Sequence, residues 1–152
     1  MITETLAAFE ELCADIKQTL EGLSSAALDW SPGPEMNSLA VLAAHTIGAL
    51  RYWIGDVIMR ELSDRDRPSE FRTHETDAAT LIARLEGAMR YVRGALPRVT
   101  LADLESTRVV PSTSETVNVA EALNHVIVHT ATHLGHMQMV RHLWSQKHEE
   151  HR

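Results

Sequence analysis

Five histidines crowd one stretch near the end of the chain: His125 stands one helical turn before "HTATHLGHMQMVRH", residues 129–142, which carries His129, His133, His136 and His142. Placed on a helix with His129 as the origin, His125 falls at about −40°, His136 at about −20° and His133 at about +40°, so four imidazoles share one arc. Ala122, Val140 and Leu143 lie in the same arc, flanked by Val126, Met137 and Trp144, whereas Asn124, Gln138 and Arg141 lie farther round. The stripe is therefore expected to face the core. Burying several imidazoles side by side is unfavourable, because each is desolvated and neighbours cannot all be protonated. Leucine would serve stability better. A divalent metal supplies the compensation, since neutral imidazole nitrogen is a common ligand and residues at i and i+4 reach one ion from one helix face. The competing reading is a set of satisfied core histidines with no ligand.

A third ligand must come from another element, and "SLAVLAAHTIGALRYWIGD" contains one histidine, His45, on an apolar stripe with Val41, Leu42 and Ala49. Tyr52 and Asp56 fall within about 20° of His45 on the same wheel, but Asp56 is three turns on, roughly 16 Å along the axis, too far to share an ion. Tyr52, Asp56 and Trp53 are kept as residues that could line a pocket. His74 lies in a charged loop and is set aside; His142, His148 and His151 fall off the stripe and are expected in solvent. On the later helix the pairs 125/129, 129/133 and 133/136 all have chelating spacing. Counted from the expected helix starts, His45 and His125 each lie seven residues in, which favours the upstream pair if the two helices run parallel. Spacing leaves the pair open.

Three histidines leave coordination positions free, the form of a catalytic rather than a closed structural site. A di-iron carboxylate bundle needs inward Glu-x-x-His pairs that these helices lack. Haem attachment through C-x-x-C-H is impossible with one cysteine, and no H-E-x-x-H motif supplies a general base.

Apolar residues recur at helical spacing in four long segments and nowhere alternate long enough for a confident strand, so the chain reads as all-α, a four-helix bundle. The first helix is expected after Thr3 as its cap, with Leu6, Phe9, Cys13, Ile16 and Leu20 on one stripe. "DWSPGPEMN" breaks the chain. A second helix runs from about Ser38 to Leu62, capped by Asn37 or Ser38, and "SDRDRPSEFRTHET" forms a charged loop. The third covers about Asp77 to Leu96. After a connection with a short turn or an extended piece at "TRVV", the fourth starts at Asn118, paired with Glu121 as a capping box, and continues to about Lys147.

The chain has 152 residues, a length that suits one domain spanning residues 1–152. Its 14 basic and 21 acidic side chains give a net charge of −7, which argues against a nucleic-acid partner. The longest uncharged run, Ala122 to Val140, carries four histidines, Asn124 and Gln138, and reads as a buried helix rather than a membrane span. "MITETLAAFEE" places acids where a signal peptide needs basic residues, so a cytoplasmic location is expected. The single cysteine, Cys13, suits a reducing compartment and reads as a buried small hydrophobe.

"LDWSPGPEMNSLAVLAAHTIGALRYWIGD" and "LNHVIVHTATHLGHMQM" resemble the DinB-like (DinB/YfiT-like) metalloenzyme superfamily, related to thiol-dependent S-transferases, over most of the chain. The family pattern has one histidine in the second helix, then H-x-x-x-H with a glycine two residues later. Those positions are His45, His129 and His133, with Gly135 after them, so the resemblance implies the downstream pair. Where the family often continues as H-R-G-Q, this chain has Leu134 and His136 in the arginine and glutamine positions, which leaves the ligands untouched. His125 and His136 then become residues that support the ligands or line the pocket. The resemblance implies a low-molecular-weight thiol as external nucleophile at a metal, attacking a small electrophilic substrate or assisting its isomerisation, and a homodimer; zinc, nickel and iron are the divalent ions that accept three histidines with open positions. Hydrolysis uses the same ligands without a thiol. A non-catalytic metal- or ligand-binding stress protein, and a structural dimer with an empty histidine core, are the readings from other classes.

Overall fold

Local signals fix where the long helices begin. Ser38 accepts a hydrogen bond from the Val41 amide at 3.3 Å and Asp77 from the Thr80 amide at 2.6 Å. Asn118 and Glu121 cap one another reciprocally, each side chain accepting from the other's backbone N–H at 2.8 Å. The computed structural model describes residues 2–149, and these caps open α3 (Leu39–Arg51), α5 (Ala78–Ala95) and α6 (Val119–Glu149). α1 spans Ile2–Leu20, so Thr3 sits inside its first turn and is not the cap. Two short helices, α2 (Ser25–Asp29) and α4 (Arg67–Glu70), lie within the connections.

The apolar stripes pack the four long helices into the expected bundle, α1 and α3 each resting on both α5 and α6. Phe9, Ile16, Leu39, Leu50, Leu81, Leu85 and Met137 are fully buried between them, each contributing about 1.5–3 kcal/mol over its exposed state. Cys13 is buried in the same core. The helix directions follow from side-chain contacts. Lys17 meets Glu86 at 2.9 Å and Glu10 meets Arg93 at 2.8 Å, so α1 and α5 are antiparallel. Arg141 Nη1 donates to the Gln18 and Thr19 carbonyls at 2.8 and 2.6 Å; α1 therefore runs along α6 in the same direction. His45 faces His129 and His133 while Trp53, two turns later, faces His125, which makes α3 and α6 antiparallel. The long helices pass up, down, down, up.

The expected single helix from Ser38 to Leu62 is not one α-helix. After Arg51 it widens into a π-helical turn, Tyr52–Met59, that ends at Arg60 in the left-handed region (φ 60°). Six of its eight residues, Tyr52, Ile54, Gly55, Asp56, Val57 and Ile58, are buried, more than one α-helical stripe can cover. The "TRVV" segment is extended, as β1 (Thr107–Val109) pairs antiparallel with β2 (Thr116–Asn118), Arg108 opposite Val117. Among the described residues no helix is long and apolar enough to cross a membrane.

Candidate metal centre

α3 and α6 bring His45, His129 and His133 together. His45 is buried, and its Nε2 lies 3.1 Å from His129 Nε2. The His45 ring centroid is 5.0 Å from that of His129 and 5.1 Å from that of His133, and the last two are 4.4 Å apart. One ring nitrogen from each residue falls within a 4.8 Å cluster. Burial first, then repulsion from the neighbouring imidazoles, holds the His129 pKa down at about 3 and that of His133 at about 4. Both rings are therefore neutral at physiological pH, the form that donates a lone pair. The Nδ1 atoms of His129 and His133 are buried with no hydrogen-bond partner. Stability does not favour such orphans, each of which costs about 1–3 kcal/mol. Three ring nitrogens in one cluster, two of them on imidazoles held neutral, fit a divalent cation.

His45 differs from the other two. Its Nδ1–H donates to the buried Glu70 carboxylate at 2.9 Å, and Arg65 grips the same carboxylate with Nε at 2.7 Å and Nη2 at 2.8 Å. Burial alone would push the Glu70 pKa up, but the hydrogen bonds from His45 and Arg65 outweigh it and hold Glu70 below the usual carboxylate range. The Phe71 ring lies against that of His45, tilted by 43° with the centroids 4.8 Å apart. The sequence reading missed Glu70 and Arg65, because "SDRDRPSEFRTHET" looks like a solvated charge run. One signal was present. Asp66 followed by Pro68 and Glu70 has the form of a helix start, and Asp66 does cap α4 by accepting from the Ser69 amide at 3.2 Å.

The upstream pair that the depth count favoured is not the one that meets His45. That count required parallel helices, and α3 and α6 are antiparallel. Nor does the whole histidine stripe face the core. The buried residues of α6 are Val119, Ala122, Leu123, Val126, Thr130, Leu134, Met137 and Val140, centred roughly 80° round from His129. The histidines occupy the edge of that face: His129 and His133 are half-buried, His125 and His136 exposed. His125 stacks on Trp53 at 4.1 Å and lines an open cleft of about 410 Å³ with Asn124, Thr132, His129 and His133. His136, its ring 5.5 Å from that of His133, lines a separate cleft of about 230 Å³ with Met36, Leu42 and Met139.

Tyr52 and Asp56 line neither cleft. The Tyr52 hydroxyl exchanges hydrogen bonds with Ser112, donating to Oγ and accepting from the amide, both at 3.0 Å. Asp56 closes the π-helical turn, accepting from the Ser63 amide at 3.1 Å and pairing with Arg51 at 3.4 Å. His74, His142 and His148 are exposed, as expected, and His151 lies outside the described residues. Burial pushes the Cys13 thiol up to about 12, so it is no nucleophile at neutral pH.

The same fold is found in solved structures. A conserved protein from Enterococcus faecalis superposes with a TM-score of 0.79 at 16% identity, over 96% of this chain and 98% of that one. YfiT from Bacillus subtilis, described as "a probable metal-dependent hydrolase with an unusual four-helix bundle topology", gives 0.72 at 16% identity over 95% and 87%. A mutant of the mycothiol-dependent maleylpyruvate isomerase gives 0.61 at 14% identity, over 88% of this chain and 59% of that one. No curated protein matches the chain in sequence. A family model described as the DinB superfamily matches residues 8–137. With that model spanning most of its length, the chain belongs to the DinB superfamily.

Proposed function

We propose that the chain is a metal-dependent enzyme whose three-histidine centre activates a low-molecular-weight thiol for attack on a small electrophilic substrate. The observation that carries this reading is the convergence of His45, His129 and His133 at the edge of an open cleft, with both α6 imidazoles held neutral. Zinc, nickel and iron(II) all suit such a donor set. A divalent ion held there supplies Lewis acidity, lowering the pKa of a thiol or water within reach. His45 anchors one side through Glu70, while His129 and His133 face the cleft in which a thiol and its co-substrate meet. His125, Asn124 and Thr132 line the approach. The thiol comes from outside the chain, because Cys13 is sealed in the core. All the residues lining this cleft belong to α6, which supports a homodimer in which a second copy forms the opposite wall.

Hydrolysis is the second reading, favoured by the likeness to YfiT; the likeness to the mycothiol-dependent isomerase favours the thiol. Added thiol separates them. Elemental analysis of untagged protein should give near one metal per chain for the parent and almost none for His45→Ala and His129→Ala. The loaded parent should then conjugate 1-chloro-2,4-dinitrobenzene to a low-molecular-weight thiol, and the variants should not. Turnover of an ester without thiol would move the assignment to hydrolysis. A loaded protein with no turnover would make it a metal-binding protein, and equal conjugation by parent and variants would end the S-transfer reading.

A further inference from the structure

Of the three clustered imidazoles, only that of His45 has its second nitrogen engaged. His129 and His133 have buried Nδ1 atoms without a partner, whereas His45 Nδ1 meets Glu70 at 2.9 Å. Glu70 is itself over-determined. Arg65 holds both carboxylate oxygens, through Nε to one and Nη2 to the other, and the Arg65 guanidinium lies over the Tyr52 ring at 5.2 Å. The approach of Glu70 to α3 passes directly over Gly48, where a Cβ would run into the carboxylate. A charged group buried this deeply and gripped this tightly is a costly thing to place at the end of the short helix α4 for stability alone.

An imidazole nitrogen that carries hydrogen cannot bind a cation, so the tautomer of His45 decides whether its Nε2 is available. We propose that Glu70, clamped by Arg65 and seated over Gly48, is the positioning residue of the centre: by accepting the Nδ1 hydrogen of His45 it fixes that ring with a bare Nε2 turned toward His129 and His133. This rests on the reading of the cluster as a metal site. Arg65 acts one step farther out, by keeping both oxygens of Glu70 where a single rotamer reaches His45. Loss of such a partner characteristically weakens metal binding about 10–100-fold.

Three measurements test it. Zinc affinity of the full-length chain, by competition with a chromophoric chelator, is expected to fall about 10–100-fold in Glu70→Gln. It should fall similarly in Gly48→Ala, which leaves every ligand, Glu70 and Arg65 chemically intact. The metal-free variants are checked for helix content, so that loss of affinity is not loss of fold. Third, ¹⁵N NMR of the metal-free parent should show His45 as the Nδ1–H tautomer. Zinc affinities within about threefold of the parent in both folded variants, or an Nε2–H tautomer for His45 in the parent, would overturn the assignment. If the parent takes up no zinc at all, the three-histidine reading fails instead, and the tautomer still decides whether Glu70 fixes His45. If a variant does not fold, the tautomer in the parent decides alone.

Discussion

His129 and His133 resist protonation down to about 3 and about 4, and an unfolded chain does not share that resistance. Between the ordinary histidine value of 6.5 and those lowered values the unfolded state binds protons that the folded state refuses, so stability falls as pH falls. At neutral pH and above, both states are unprotonated and the effect vanishes. Urea midpoints of metal-free protein should therefore drop between about pH 7 and about pH 4.5, and drop less in the His129→Asn/His133→Asn double variant. Equal slopes would show that the two rings are not shielded. These residues were legible in the sequence because i, i+4 spacing survives folding unchanged. Glu70 was not, since a carboxylate in a charged run looks solvated until the chain folds it over Gly48. The exposure of His125 and His136 was also missed: a wheel locates an arc, and which flank of it meets the core depends on the neighbouring helices.

At the level of elements, the helix starts were readable from Ser38, Asp77 and Asn118, where a short polar side chain precedes an apolar period. The π-helical turn was not, as "YWIGDVIM" has no proline or paired glycine to mark a change of winding. Its end at Arg60 carries strain: the left-handed conformation costs a residue with a Cβ about 1–2 kcal/mol, and Arg60 is exposed. Glycine there relieves the strain and adds unfolded-state freedom worth about 0.5–1 kcal/mol in the opposite sense. Arg60→Gly should thus raise stability by about 0.5 kcal/mol and Arg60→Val lower it. Denaturation midpoints check both signs. The direction of each helix was equally hidden, because a helical wheel looks the same from either end, and that is why counting residues from the helix starts selected the wrong pair.

Across the whole molecule, the antiparallel pairing of α3 and α6 joins His45 to His129, 84 positions apart in the chain. An ion bound there closes a loop of that length in a protein whose lone cysteine offers no disulfide, and it binds only the folded chain. At about a thousandfold excess over Kd such binding adds about 4 kcal/mol, a rise in Tm of roughly 10 °C for a chain of this size. Zinc should give that rise in a thermal scan, a chelator should reverse it, and His129→Ala should show neither. The centre is then also a removable cross-link. In a metal-poor medium that cross-link is absent, and the persistence of the folded chain against proteolysis becomes a gauge of metal supply.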